Sequence, residues 1–299
     1  MKALCVGVHV LDVLVRPVEA IPEGDGALVE EIRLTAAGSA GGTALVLAKL
    51  GAEVRSAGAV GTDAAGDLLI ALLKRDGVDT SGLLRREDAP TSASVLPISP
   101  AGDRPAWHVI GANGAFAAED VDLDAVAAAT HVHVGGPEFM GGEAAARILA
   151  HAREHGAVTS VDVLAPGEPG LLDWIAPALE HADYLLPNRE QVLGFTGAGD
   201  VAAGSRALLD RGARCVIATL GADGVLIDGE EPVPALDVDV VDTTGCGDAF
   251  TAGFLRGLGL GRERRGAAEL GCATAALVAQ GLGTDHGAYD LATAEGLAP

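Results

Sequence analysis

The segment of this chain best equipped for chemistry is Asp242-Thr243-Thr244-Gly245-Cys246-Gly247-Asp248-Ala249-Phe250. It follows a strand-like run, Val238–Val241, and opens an apolar stretch with helical spacing, Gly247–Leu258. Glycines at a strand-to-helix turn let backbone N–H groups point into open space, and the helix N-terminus adds a partial positive charge. The result is an anion hole built without lysine. Asp248 falls in the first helical turn, beside any anion held there. Taken alone, the same residues could also form an ordinary glycine-rich turn with Asp248 as a helix-start carboxylate. The thiol of Cys246 sits where a helix terminus lowers a cysteine pKa, so it carries an expectation of oxidant sensitivity.

The elements that would position this segment alternate along the chain. Buried strands are predicted at Ala3–Val8, Val54–Val60, His131–Val134, Val158–Val163, Tyr184–Leu186, Arg214–Thr219 and Val225–Ile227. Helical spacing appears at Thr43–Leu50, Gly66–Asp76, Glu143–His155, Val201–Arg211 and Arg262–Gln280. Alternation of this kind predicts βαβ units and a mostly parallel sheet covered on both faces. Val13–Thr35 and Thr91–Ile110 break the rhythm, with strand-like alternation and turn signals at Pro22–Gly26 and Pro100–Asp103 but no helix. They read as a small β lid above one edge of the sheet.

Composition narrows the function. The 299 residues carry 42 acidic and 20 basic side chains, a net charge of −22. Phosphate neutralisation on a nucleic acid needs clustered Lys and Arg, and an anionic membrane surface needs the same, so neither partner is expected. The lysines are Lys2, Lys49 and Lys74 alone, and no Gly-x-x-x-x-Gly-Lys-[Ser/Thr] loop is present. The cysteines (Cys5, Cys215, Cys246, Cys272) form no C-x-x-C pair, which argues against a zinc site or a disulfide framework. His9 and Asp12 interrupt the apolar N-terminal run, so a cytoplasmic protein without a signal segment is expected. His151-Ala152-Arg153-Glu154-His155 matches the H-x-x-E-H zinc pattern but reads as a solvated helix face, and His131 and His133 read as strand packing.

The string Asp242–Phe250 resembles the C-terminal signature of the ribokinase-like family of carbohydrate and nucleoside kinases, also called the phosphofructokinase-B family. Other segments agree in order and spacing. Gly7–Asp12 resembles the first strand ending in a substrate-binding Asp, and Ala37–Ala44 with Leu50-Gly51 resembles the family's first signature. Gly111-Ala112-Asn113 resembles the close of the lid, Pro187–Gln191 the Asn-x-x-Glu motif, and Thr219-Leu220-Gly221 with Gly224 the nucleotide-binding strand end. The resemblance spans essentially the whole chain. It implies a single ribokinase-like domain over residues 1–299, a three-layer α/β sandwich with a central mainly parallel sheet and a β lid.

The resemblance also implies roles. The reaction would be transfer of the ATP γ-phosphate to a hydroxyl of a small sugar-like molecule. Asp248 matches the base, and the amides of Gly245, Cys246 and Gly247 match the anion hole. Asp12, Gly38, Gly42 and Asn113 match the acceptor side, and Asn188, Thr219, Gly221 and Gly224 the nucleotide side. Asp242 and Thr244 match a monovalent-cation site suited to K+, with Glu190 and Gln191 at the Mg2+ shell. Three positions depart from the family pattern. Val10 and Gly42 stand where many members have asparagines that bond sugar hydroxyls, and Gln191 stands where the Glu of the magnesium motif is usual. A sugar or sugar acid is the expected acceptor. A nucleoside is the alternative, with Trp107, Phe116 and Phe139 near the lid for stacking, and a non-catalytic ligand-binding descendant is a further one. A phosphorylated sugar is less expected, since Arg16, Arg33 and Arg104 are the lid's only basic residues. The family's habit of pairing lids implies a possible homodimer.

Overall fold

The structure is a computed structural model and describes every residue except 23, 25, 101 and 103. The turn signals at Pro22–Gly26 and Pro100–Asp103 therefore lie partly outside the described residues. The central sheet is formed by β1 (Lys2–Gly7), β4 (Glu53–Gly61), β5 (Asp79–Arg86), β8 (His131–Gly135), β9 (Val158–Asp162) and β10 (Tyr184–Leu185). Its order is β10-β9-β8-β1-β4-β5, with every pairing parallel. A parallel sheet must be covered on both faces, and the strand sequences comply. In β1, Ala3 and Cys5 enter one core while Leu4 and Val6 enter the other.

Helices α1 (Gly41–Lys49), α2 (Ala64–Arg75), α9 (Cys246–Gly259), α10 (Arg264–Ala279) and α11 (Leu291–Leu297) supply one core, with Phe250 and Phe254 at its centre. Helices α3 (Leu123–Ala128), α5 (Gly142–Glu154), α6 (Pro169–Leu179), α7 (Arg189–Thr196) and α8 (Val201–Asp210) supply the other; the single-turn α4 (Pro137–Met140) links β8 to α5. Beyond β10 the sheet passes through isolated parallel bridges, Leu185 to Val216 and Asn188 to Thr219. There it meets an antiparallel sheet of β11 (Ile217–Thr219), β12 (Val225–Ile227) and β13 (Glu231–Val233).

The lid is a four-stranded sheet ordered β3-β2-β6-β7, from β2 (Val10–Arg16), β3 (Glu31–Ala37), β6 (Ala93–Pro97) and β7 (Trp107–Val109). It starts at Val10, earlier than the break in rhythm at Val13 suggests, because β1 and β2 are separated by only two residues. Val238–Val241, which alternates like a strand, is irregular. Among the described residues it pairs with no strand, and Val241 N–H reaches instead to the carbonyl of Ala279 at the end of α10. Two further elements, β5 and α6, carry no strong periodic signal in sequence.

The turn between β1 and β2 sets where the lid strand carrying Asp12 begins, and it depends on Gly7. That residue has φ of +123°, and a Cβ on it would overlap the carbonyl oxygen of Gly135. Gly7→Ala is expected to destabilise the protein by about 3 kcal/mol or more, from combined backbone strain and overlap. Urea unfolding checks this; an unchanged midpoint would show that the turn has slack.

Candidate active site

Helix α9 begins on Gly245, which holds φ of +79°, a left-handed conformation that suits glycine. The Cys246 N–H turns back to Thr243 O at 3.2 Å, and Ala249 N–H starts the helical ladder to Gly245 O. Among the described residues, the N–H groups of Gly245, Gly247 and Asp248 have no backbone acceptor. Gly247 is exposed, with nothing within 4 Å of where a Cβ would stand. The turn therefore presents amides to an open space at the positive end of a 14-residue helix.

Asp248 packs against the start of α1. A Cβ on Gly42 would overlap its Oδ2, so glycine at this position makes room for the carboxylate. Gly38 bends the chain into α1, with φ of +87° and Val8 O 2.7 Å from its would-be Cβ. Asp12 comes from the lid strand β2 and is buried. Asp162, at the end of β9, is a third carboxylate; no motif in the sequence points to it.

Burial raises the pKa of all three groups, and Asp12 and Asp162 add to the rise at Asp248. Burial pushes Asp12 up to about 6, helped by Asp242 and opposed by the Ser94 hydroxyl and Arg104. Burial pushes Asp162 up to about 8, with Glu138 adding to it. Asp248 is raised well above the usual carboxylate range by burial first, then by Asp162 and Asp12, with Arg104 opposing. A carboxylate in such surroundings binds a proton avidly, the property a general base needs. Arg104 is the cation facing this group. It arrives from the loop between β6 and β7, and its Nε donates to Thr243 Oγ1 at 3.0 Å.

The surroundings of Cys246 work against the effect of the helix terminus. Burial pushes its thiol up to about 12, with Asp242 and Asp248 adding and Arg104 opposing. Among the described residues no cluster of His, Cys, Asp and Glu suits a metal ion. His151 and His155 pair only with each other and local backbone. His133 is buried between Ser160 Oγ and Ser39 O.

Before the α9 turn, Asp242 Oδ1 accepts from Thr244 Oγ1 at 3.0 Å, while Asp242 Oδ2 is buried without a partner among the described residues. Thr284 Oγ1 is likewise buried without a partner among them and lies against Gly245. Orphaned buried oxygens, one of them charged, are the surroundings that a cation would complete. On the other side of the turn lies a cavity of about 530 Å³. It is lined by Thr219, Gly221 and Gly224, by Ala275 and Ala276 of α10, and by Cys246 and Gly247 of the turn.

Two residues expected at ligand positions are occupied with holding the chain. Both polar atoms of Asn113 bond the backbone of His9, accepting its N–H at 3.2 Å and donating to its O at 3.0 Å. Asn113 thus fastens the lid root to the β1–β2 turn. Gln191 forms a capping box with Asn188 at the start of α7, and its Nε2 donates to Val163 O at 2.7 Å and Ala165 O at 3.0 Å. Asn188 itself is exposed and bridged to Thr219, and Glu190 is exposed on the same turn.

Residues 1–290 match the model of the pfkB family carbohydrate kinases. The chain belongs to that family. Like other pfkB kinases it is a phosphotransferase with an alcohol acceptor, and ATP is a substrate of kinases of this family. It is 33% identical over 249 residues to an ATP-dependent ribose-1-phosphate kinase of Halopiger xanaduensis, covering 82% of this chain and 80% of that one. It is 28% identical over 265 residues to a deoxyribokinase of Salmonella typhi, covering 85% and 84%. A structure of Arabidopsis thaliana ribokinase complexed with ribose and ATP superposes with a TM-score of 0.81 at 23% identity, covering 99% and 97%. Among the described residues of this pfkB kinase, no helix is long and apolar enough to cross a membrane.

The capping box gives a direct test of the Gln191 position. Gln191→Glu removes two donors from buried carbonyls and sets a carboxylate against them. It is expected to cost about 2–4 kcal/mol of stability, read by urea unfolding. Unchanged stability with tighter magnesium dependence of turnover would instead place the side chain in the metal shell.

Proposed function

We propose that this pfkB kinase transfers the γ-phosphoryl group of ATP to a hydroxyl of a small sugar held between Asp12 and Asp248. The observation that carries this reading is the meeting of three features at one point. A carboxylate with a raised pKa stands beside a glycine-built anion hole, and a lid carboxylate faces it across the cleft. Asp12 accepts a hydrogen bond from the acceptor and fixes its orientation. Asp248 takes the proton of the attacking hydroxyl as its oxygen bonds to the γ-phosphorus, and the bond to the bridging oxygen of ADP breaks. Charge spread over the transferring group falls on the free amides of Gly245, Gly247 and Asp248, with the α9 dipole behind them; the Cys246 amide, expected among them, is already bonded to Thr243 O. The cavity of about 530 Å³ takes the nucleotide against Thr219, Gly221 and Gly224.

Asp242 Oδ2 and Thr244 would hold a monovalent cation such as K+, whose charge would support the anion hole. Magnesium, when bound, offsets charge on the ATP phosphates, with Glu190 the exposed carboxylate on the α7 side. Closure of the lid excludes water, the competing acceptor. A second reading, a phosphorylated sugar as acceptor, is favoured by Arg104. Apart from its bond to Thr243 this guanidinium makes no other hydrogen bond or ion pair among the described residues, though it lies close enough to Asp12 and Asp248 to lower their pKa, and one relative is a ribose-1-phosphate kinase.

The lid's outer face supports pairing of two copies. Ile32, Leu34, Val95, Trp107 and Val109 are exposed together, and Val13 joins Leu34 to Val95 in register. An apolar sheet face of this extent is the kind of surface that a second lid covers.

Asp248→Asn is expected to lower kcat by about 10²–10⁴-fold with the ATP KM little changed, measured by ADP release. A base is active when deprotonated, so kcat/KM is expected to rise with pH through an apparent pKa above the ordinary carboxylate range. Asp12→Asn and Asp162→Asn each remove a negative neighbour and are expected to shift that acid limb to lower pH. An acid limb unmoved by Asp162→Asn, or near-normal turnover of Asp248→Asn, would remove Asp248 from the role. For the lid, Trp107→Asp with Val95→Asp is expected to convert a dimer to a monomer by light scattering; a monomeric unaltered chain would exclude the pairing.

A further inference from the structure

The acceptor cleft is roofed by a polar row assembled from four strands. Asp12 on β2 stands opposite Thr35 of β3 and Ser94 of β6, and Ser94 stands opposite His108 of β7. Side chains opposite one another in register share a face of the sheet. That face is the inner one. Leu14 and Leu96, two residues along from Asp12 and Ser94, are buried under the lid with Leu282, while Val95 and Trp107 point outward.

One contact ties the row together: Ser94 Oγ lies 2.9 Å from His108 Nδ1, and the Ser94 hydroxyl also lowers the pKa of Asp12. A neutral imidazole donates from one ring nitrogen and accepts at the other. With Nδ1 donating to Ser94 Oγ, Nε2 is the acceptor, and it has no partner among the described residues. The His108 side chain is exposed, and partial burial holds its pKa below the usual histidine value.

We propose that His108, oriented by Ser94, is a specificity-determining residue whose Nε2 accepts a hydrogen bond from a second hydroxyl of the acceptor, beside the hydroxyl taken by Asp12. The inference rests on the kinase reading above and narrows it. Asp12 and His108 are both acceptors, so the molecule they read must bring two donors, which a pair of hydroxyls on one sugar ring supplies. The row also accounts for the absent asparagines. Val10 carries no polar group, and the space a side chain would take at Gly42 is filled by Asp248. The polar company of Asp12 comes instead from two lid strands more than eighty residues away in sequence.

The test is ADP release at saturating ATP with D-ribose, 2-deoxy-D-ribose, ribose 1-phosphate and cytidine as acceptors. It uses the unaltered protein, His108→Ala and His108→Gln, with the melting temperature of each. Loss of one hydrogen bond to substrate predicts that His108→Ala raises the KM of the best acceptor about ten-fold, with kcat and ATP KM within about two-fold. His108→Gln keeps an acceptor oxygen and is expected to recover part of that loss. An acceptor KM unmoved by His108→Ala overturns the proposal while leaving the kinase reading intact. So does a loss shared equally by the ATP KM, or one that tracks a lowered melting temperature in both variants. No ADP from the unaltered protein with any acceptor removes the kinase reading and this inference together.

Discussion

In the proposed reaction Asp248 has to sit among other carboxylates, away from bulk water, and still face a triphosphate. Its position is settled by close backbone approach: Gly42 lets α1 come up against the Asp248 side chain, and Gly245 lets α9 start where it does. Phe250 and Phe254, one and two turns further along α9, lock that helix into the core on one face of the sheet. The carboxylate is therefore carried on a rigid element whose start is shaped by glycine. A loop could not hold a charge in surroundings that raise its pKa so far without turning it out to water.

The lid meets this arrangement with a sheet whose two faces do different work. Period-two alternation gives one face Thr35, Asp12, Ser94 and His108 and the other Leu34, Val13, Val95 and Trp107. A slip of one residue in the β2–β6 register would exchange them, putting apolar side chains over the cleft and carboxylate outside. Two features oppose such a slip. Leu14, Leu96, Ile98 and Leu282 form a small core beneath the lid. The buried Asp285 carboxylate ties Arg33 of β3 to Arg75 of α2.

The parts of this architecture that sequence reveals are those carried by contiguous residues. The alternation of strand and helix, the two non-helical lid segments and the Asp242–Phe250 string are all local patterns. What sequence conceals depends on partners far along the chain. Asp162 is one carboxylate among 42 acidic side chains until β9 brings its end beside Asp248. Ser94 and His108 become a unit only through strand register. Asn113 and Gln191 look like ligand residues by type and position, but the structure bonds them to His9 and to the Val163–Ala165 backbone. The Cys246 thiol shows the same limit. The helix terminus that would lower its pKa is local, while the carboxylates and burial that raise it are not.

A net charge of −22 would seem to repel ATP, and the arrangement of the site shows why it need not. Charges on outer helices are screened within about 8 Å at physiological ionic strength, so they act on solubility more than on a phosphate in the cleft. Inside the cleft the local field decides, and there the positive contributions are fixed dipoles: the free amides around Gly245 and Gly247 and the end of α9. Amides cannot be neutralised by the nearby carboxylates as a lysine would be by ion pairing. A lysine among Asp12, Asp162, Asp242 and Asp248 would pair with them and lower the pKa of the base it was meant to assist. On the proposed mechanism the scarcity of lysine and the abundance of glycine are thus two sides of one solution, in which backbone would hold the phosphate and the carboxylates would keep their affinity for a proton.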